Sequence, residues 1–414
     1  MTRDDRSVGA LPWARLDDFS SGTAAIYPYF EEQICTGRPD EVIDCLTEVE
    51  QASASGRWAV GFVSYEAAAG LDPDLSVTEA RCSSDSVADR LPLVWFGISD
   101  RAPRMDGIVQ RADADGYWAD RWQIRETEQY AGAFSEVRAA IAAGDTYQCN
   151  LTSRATSAIR GDTLSFYADL SHAQQARYSA YIDLGSDVIA SASPELFFQW
   201  AGDQVHTRPM KGTARRGATV EQDQRQLSRL LASEKERAEN VIVVDLLRND
   251  LSRIAVPGSV KVPALLTAER YRTVWQLTSD VTARLRPGCG FVDIMRALFP
   301  CGSVTGAPKI ATMELIRRLE GRRRGIYCGC IGTVAPAGSE IRAQFNVAIR
   351  TAHIHRESGR CEYGVGSGLT WGSTLQEEFS ELMAKCAILP SPRERNEPAV
   401  MPVAVPHRES GSAS

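Results

Sequence analysis

This sequence of 414 residues has no cysteines at CxxC spacing, no apolar N-terminal segment and no long hydrophobic run. None of its ten cysteines has a CxxC spacing, so the sequence indicates neither a zinc site nor a disulfide framework. The polar start Met1–Arg6 leads into no apolar segment, which argues against a secretory signal. No run of 18 apolar residues is present, so no membrane span is predicted. We therefore expect a cytoplasmic protein with reduced thiols.

Basic surfaces and histidine-centred motifs are also scarce. The formal net charge is −7, and the run Arg322–Arg324 is too short to indicate a nucleic-acid surface. The five histidines lie outside every motif considered below. Nucleophilic chemistry of the Ser-His-Asp or Cys-His kind therefore has little support.

The chain does contain alternating helical and β-prone segments. The patterns predict helices over Arg125–Ala143, Ser233–Leu247, Phe291–Leu298, Lys309–Leu319 and Gln376–Cys386. They predict strands over Gly61–Tyr65, Leu91–Phe96, Thr146–Thr152, Tyr178–Leu184, Asp187–Ser193, Leu196–Trp200, Gly329–Val334, Glu340–Thr351 and Arg360–Val365. Because no strict βαβ rhythm is present, a mostly antiparallel α+β fold is favoured.

Acidic residues recur at helical spacing in two places. Glu236 and Glu239 are three residues apart, and so are Glu378 and Glu381, with Lys385 four residues further on. Such spacings place the side chains on one helix face, where two acidic faces can converge on Mg²⁺. The alternative is that each pair lies on a solvated helix surface. The apolar run after Glu239 favours a buried carboxylate with a partner.

Two glycine-rich segments and two isolated cations complete the candidate chemistry. Gly302–Gly306 and Gly364–Gly368 are predicted turns whose backbone N–H groups can receive a carboxylate or a phosphate. Arg350, which follows the apolar run Phe345–Ile349, can bind a carboxylate or form an ordinary salt bridge. Lys211 can act as a nucleophile only when it is neutral, and by itself it is more simply interpreted as a surface lysine.

Taken together, these segments resemble the chorismate-utilising family of anthranilate, aminodeoxychorismate, isochorismate and salicylate synthases. The resemblance covers roughly residues 130–388. The matching segments, in the family's order, are Gly144–Thr152, Ser193–Glu195, Lys211–Thr213, Glu236–Asn240, Asp245–Asp250, Gly302–Lys309, Ile349–Thr351, Gly366–Gly368 and Glu378–Glu381.

The resemblance implies an α+β fold like that of anthranilate synthase component I, with two facing antiparallel β-sheets and helices outside. Residues 1–125 would be the N-terminal part of this fold, residues 126–388 the chorismate-binding catalytic region, and residues 389–414 a disordered tail with five prolines.

The resemblance also assigns roles within the site. Glu239 and Glu381 would bind Mg²⁺, with Glu236 and Glu378 as supporting carboxylates. The implied substrate contacts are Arg350, the backbone at Gly366, Ser367 and Gly368, and the side chains of Lys385, Thr213 and Thr305. Glu195 would be a general acid, and Lys211 a covalent nucleophile.

Two positions bear on the branch of the family. Gln148 stands where the water-activating members carry a lysine, which argues against hydroxyl transfer. Lys211 stands where anthranilate synthases usually carry alanine, so amination of chorismate at C4 on the way to 4-aminobenzoate is expected. Whether that product would serve folate or a specialised metabolite stays open. Amination at C2 is the alternative, and a chorismate-binding subunit without turnover is a weaker one. Gln276, where histidine is common, and Gly372, where aspartate is common, depart from the family pattern.

The nitrogen source is expected to lie on another chain. The sequence has no Gly-x-Cys-x-Gly nucleophile turn of a glutamine amidotransferase. If glutamine is the donor, a separate glutaminase subunit would supply ammonia. Neither nucleic acid nor a membrane is an expected partner.

Overall fold

The computed structural model describes residues 12–79, 86–111, 116–124, 127–271 and 274–390. The strands are β1 (Trp13–Asp18), β2 (Thr23–Tyr27), β3 (Glu32–Thr36), β4 (Trp58–Val63), β5 (Val94–Ser99), β6 (Arg104–Gly107), β7 (Tyr117–Ala119), β8 (Gln123–Ile124), β9 (Gln148–Gly161), β10 (Tyr178–Asp183), β11 (Asp187–Ser193), β12 (Leu196–Ala201), β13 (Gln204–Arg208), β14 (Met210–Arg215), β15 (Lys261–Arg270), β16 (Val274–Arg284), β17 (Gly306–Ala307), β18 (Cys330–Val334), β19 (Ile341–Val347), β20 (Thr351–His355) and β21 (Arg360–Leu369). The helices are α1 (Val42–Ala54), α2 (Ala68–Leu71), α3 (Thr127–Ala143), α4 (Thr163–Gln174), α5 (Val220–Ala232), α6 (Glu234–Ser252), α7 (Phe291–Leu298), α8 (Lys309–Glu320) and α9 (Leu375–Cys386).

The strands form two antiparallel sheets. One runs in the spatial order β17-β9-β21-β20-β11-β10-β1-β2-β6, with β7 and β8 also paired to β9. The other runs β14-β16-β13-β12-β19-β18-β4-β5-β3, with β15 also paired to β16. Strands from the N-terminal segment complete both sheets, so this segment is built into the same architecture as the rest of the described chain.

The apolar core has a layer between the sheets and a layer on each outer face. Between the sheets, Tyr27 and Ile182 of the first sheet share one buried cluster with Phe62 and Ile331 of the second. The outer face of the second sheet packs against α1, α6 and α7, and that of the first against α3, α4, α8 and α9. Facing antiparallel sheets with helices outside are thus confirmed.

Local sequence explains where the helix nearest the acidic residues begins. The Ser233 hydroxyl accepts a hydrogen bond from the Glu236 N–H at 3.3 Å, which satisfies one free donor of the first turn of α6. The valine-rich run Val241–Val244 lies inside this helix because Val243 and Val244 pack into the core. None of the described helices is long and apolar enough to cross a membrane.

Two predictions of local structure are wrong. Gly364–Gly368 lies inside β21 and does not form a turn. A Cβ atom at Gly364 would come within 2.1 Å of the Tyr327 ring, so glycine is needed there for close packing. The predicted strand Glu340–Thr351 is divided into β19 and β20. Arg350, with φ of +55°, has the left-handed backbone conformation that interrupts it.

Candidate active site

A cavity of about 1010 Å³ is lined by strands of both sheets and by two helices. Its walls include β14 and β16 of the second sheet, β21 of the first sheet, and α6 and α9. The predicted site residues that line it are Glu195, Lys211, Thr213, Glu236, Glu239, Arg350, Gly366, Gly368, Glu381 and Lys385. The fold thus brings together residues that are far apart in the sequence.

Lys211 extends from β14 towards the opposite sheet. A Cβ atom at Gly368 of β21 would lie 2.8 Å from Lys211 Nζ, so only the absence of a side chain at Gly368 leaves room for the amine. The same cavity contains Glu195, so an amine and a carboxyl group line one space.

Glu195 is a buried carboxyl group, only 3% exposed. Burial raises its pKa to about 7, against the opposing effects of a hydrogen bond with Ser303 and the charge of Lys211. Within the described chain, its Oε1 atom has no hydrogen-bond partner. A carboxyl group with this pKa is protonated in a large fraction of molecules near neutral pH, as a general acid requires.

Carboxylates from α6 and α9 form the acidic side of the cavity. Burial, with a contribution from Glu236, raises the pKa of Glu239 to about 7, whereas Lys211 opposes the rise. Burial and the charge of Glu381 raise the pKa of Glu236. Burial alone would raise the pKa of Glu381, but the ammonium of Lys385, 2.6 Å from Glu381 Oε1, outweighs it and the pKa is lowered.

This acidic side is chemically suited to a divalent cation. The mutual repulsion of Glu236, Glu239 and Glu381 is the kind that a cation relieves. In the described parts of the chain, no three side chains of metal-binding type already converge on one point. Mg²⁺ does not need such a cluster, since it commonly binds one or two carboxylates together with waters and substrate oxygens.

Cations and backbone groups form the opposite side. Lys385 Nζ donates to the Gly366 carbonyl at 2.6 Å, and Arg350 Nη1 donates to the Lys385 carbonyl at 2.6 Å. The Tyr363 hydroxyl donates to the same Lys385 carbonyl at 3.3 Å. These bonds tie the end of α9 to β21 and hold two positive charges beside the cavity.

Three predicted site residues do not face the cavity. Because side chains alternate along a strand, Ser367 points away from the face shared by Gly366 and Gly368, and its hydroxyl lies 3.0 Å from Tyr130 OH. The Thr305 hydroxyl donates to the Cys301 carbonyl at 3.2 Å. Glu378 is buried behind the cavity wall, where it accepts a hydrogen bond from Lys235 at 3.2 Å.

The structure adds residues that the sequence did not assign. Lys235, Ser303 and Tyr327 all line the cavity. Ser303 lies inside the segment Gly302–Gly306, which was noted only for its backbone, so its position in that segment was an available signal. Gln148 is fully buried near Gly368, and in the described structure neither of its polar side-chain atoms has a hydrogen-bond partner.

Comparison with known sequences assigns the chain to a protein family. Residues 110–390 match the family described as chorismate binding enzyme. The chain belongs to this family. The aminodeoxychorismate synthase component 1 of Salmonella typhimurium is 39% identical to this chain over 308 residues, or 70% of this chain and 67% of that protein. The anthranilate synthase component 1 of Methanothermobacter thermautotrophicus is 35% identical over 295 residues, or 70% of this chain and 62% of that protein.

A solved structure supports the fold of this chorismate binding enzyme. The anthranilate synthase component I of Streptococcus pneumoniae TIGR4 superimposes with a TM-score of 0.72, covering 94% of each chain at 24% identity. The alignments with the curated relatives named above span about two thirds or less of those proteins. Membership of the family is thus established, whereas both aminodeoxychorismate and anthranilate synthases are among its relatives.

Proposed function

We propose that this chain is the ammonia-using component of an aminodeoxychorismate synthase. It would convert chorismate and ammonia into 4-amino-4-deoxychorismate and water, a step towards 4-aminobenzoate. The observation that carries this proposal is the placement of Lys211 and the buried acid Glu195 in one cavity. A lysine nucleophile accounts for amination at C4, because it occupies C2 while C4 becomes reactive.

Chorismate carries two carboxylates, and each would meet positively charged side chains or backbone donors in the cavity. Arg350 would bind the enolpyruvyl carboxylate, because a guanidinium forms strong charge-assisted hydrogen bonds with such a group. Lys385 and the backbone at Gly366 and Gly368 would lie at the ring-carboxylate end.

The acidic side of the cavity would hold a metal ion. Glu239 and Glu381 would bind Mg²⁺, with Glu236 beside them and Glu378 behind. When bound, Mg²⁺ would supply the positive charge that offsets these carboxylates and the ring carboxylate of the substrate.

The first chemical step would use Lys211 and Glu195 together. The neutral amine of Lys211 forms a bond to C2, the two ring double bonds shift, and the C4–O bond breaks. Glu195 gives its proton to the departing hydroxyl, which leaves as water. Burial of Glu195 supports this role, since it leaves a large fraction of the acid protonated near pH 7.

The second step would reverse the shift. Ammonia forms a bond to C4, the ring double bonds return, and the C2–N bond breaks to release the neutral amine of Lys211. The new C4 ammonium gives one proton to the Glu195 carboxylate, which restores the acid. Atoms and protons then balance over the cycle.

Ammonia would reach the chain from a separate glutaminase. The relatives named component 1 support a multi-component enzyme, and the sequence lacks a glutaminase nucleophile motif. The purified chain should therefore use ammonium and not glutamine. Equal rates with the two nitrogen sources would contradict this part of the proposal.

Product analysis tests the proposed function. The purified chain is incubated with chorismate, Mg²⁺ and ammonium, and the product isomer is identified by chromatography and NMR. We expect the C4 isomer from the wild type and from the control Lys261→Ala, which changes an exposed lysine of β15. Lys211→Ala should lose the C4 product. Unchanged C4 amination by this variant would refute the nucleophile.

Amination at C2 is the second candidate. It is favoured by the anthranilate synthase component 1 relative at 35% identity. Without participation of Lys211, ammonia would attack C2 directly and give an anthranilate-type product. A C2 product from the wild-type chain in the same assay would select this function.

A further inference from the structure

Lys211 lies in a β-bulge. Met210 pairs with Thr278, but Thr213 pairs with Gln276, so β14 has one residue more than β16 between these two pairs. Gly212, with φ of +94°, takes up the extra residue in the left-handed region that favours glycine. A bulge breaks the regular ladder and redirects a side chain, and here that side chain is Lys211.

Two side-chain amides replace the ladder contacts that the bulge removes. Asn240 Nδ2 of α6 donates to the Lys211 carbonyl at 3.5 Å, the limit for such a bond. Gln276 Nε2 of β16 donates to the Gly212 carbonyl at 2.9 Å. The peptide groups before and after Gly212 are therefore both held by side chains outside β14.

The Asn240 amide is itself oriented by a buried hydrogen-bond chain. The N–H of Leu266 can only donate, and it donates to Ser279 Oγ at 3.0 Å. The Ser279 hydroxyl in turn donates to Asn240 Oδ1 at 2.6 Å, which leaves the Asn240 N–H groups directed at Lys211. Asn240 is 1% exposed and Ser279 is fully buried, so water does not compete for these bonds.

We infer that Asn240 and Ser279 are positioning residues for Lys211. They act through the backbone of the bulge and set the distance between the amine and the substrate ring, without touching the substrate. This inference rests on the proposed function, because it concerns how the nucleophile is aimed. It adds two residues, 39 positions apart, to the requirements for C4 amination.

The test compares Ser279→Ala and Asn240→Ala with a matched control. Ser53→Ala removes an equally buried hydroxyl, which donates to the Ala335 carbonyl at 2.6 Å in another part of the fold. Each variant is assayed with chorismate, Mg²⁺ and ammonium for the rates of C4 and C2 amination, and its thermal unfolding is measured. If Asn240→Ala does not fold, Ser279→Ala, which loses a single oxygen atom, carries the test.

We expect the rate of C4 amination to fall about tenfold in both variants, as expected for loss of one buried hydrogen bond. The ratio of C2 to C4 product should rise by a similar factor, since direct attack of ammonia at C2 does not use the lysine. Ser53→Ala should keep the wild-type ratio. General destabilisation would lower both rates without changing their ratio.

Two outcomes would overturn the inference. One is a wild-type product ratio in both Ser279→Ala and Asn240→Ala, and the other is an equal shift in Ser53→Ala. Failure of the proposed function is a separate result, because the wild-type chain would then form the C2 product or Lys211→Ala would keep the C4 product.

Discussion

Replacing Glu195 with glutamine should abolish proton donation and yet stabilise the folded protein at alkaline pH. The pKa of this buried carboxyl group rises from its ordinary value of 4.5 to about 7. The unfolded chain therefore releases its proton at lower pH than the folded chain does. Stability from this group is complete below about pH 4.5 and is lost as the pH rises through 7.

The size of the effect follows from the same shift. A rise from 4.5 to about 7 corresponds to about 3 kcal/mol of unfolding free energy between the two ends of this range. Because Glu195 is 3% exposed, solvent screening reduces the figure little. The isosteric amide of Glu195→Gln carries no charge at either pH, so the variant should lack this loss.

Urea unfolding of the wild type and of Glu195→Gln at pH 5 and pH 8 measures this loss of stability. The difference in unfolding free energy between the variant and the wild type is taken at pH 8, and the same difference at pH 5 is subtracted from it. This double difference isolates Glu195, because the titration of all other groups contributes equally to both proteins. We expect this double difference to favour the variant by about 2.5 kcal/mol, because part of the loss has already occurred at pH 5. Glu340→Gln, an exposed change in the turn before β19, should give a value near zero. A double difference near zero or of opposite sign for Glu195→Gln would refute the claim that Glu195 is a buried acid with a raised pKa.

Three further substitutions test the other parts of the site. Gly368→Ala places a methyl group 2.8 Å from Lys211 Nζ. The amine must then move, so kcat should fall at least about tenfold with little change in Tm. An unchanged kcat would contradict the position of Lys211. Glu239→Gln should raise the Mg²⁺ concentration needed for half-maximal activity at least about tenfold, and an unchanged Mg²⁺ titration would remove Glu239 from the metal site. Arg324→Met removes the guanidinium that forms a 2.8 Å ion pair with buried Glu320 and leaves that carboxylate with the hydrogen bonds from Thr152. The change should cost about 3–5 kcal/mol in urea unfolding. A loss below about 1 kcal/mol would argue against that pair.

Local sequence signals predicted local structure well. A helix was predicted over Ser233–Leu247, and α6 extends from Glu234 to Ser252. The predicted strands Tyr178–Leu184 and Asp187–Ser193 are present as β10 and β11, which pair with each other. These signals depend on residues close together in the chain, so sequence alone was sufficient.

Predictions failed where the reason for a residue type lies across the fold. The glycines of β21 were read as a turn because glycine favours turns, but Gly364 is glycine to make room for the Tyr327 ring. The link from Ser279 to Asn240 joins residues of β16 and α6, and no local pattern marks such a pair.

The resemblance to a known family predicted most of the cavity, because the family motifs select residues that share one site. It could not predict which neighbours tune those residues. Burial of Glu195 and its contact with Ser303 depend on the packing of both sheets.

The central claim, that Lys211 becomes covalently bonded to chorismate, has a direct measurement. The chain is mixed with chorismate and Mg²⁺ without ammonia, quenched with acid, digested, and examined by peptide mass spectrometry. We predict that the peptide containing Lys211 carries the mass of chorismate less one water, and that Lys211→Ala carries no adduct. An adduct on a different residue, or none on Lys211 in a chain that aminates chorismate at C4, would contradict the account.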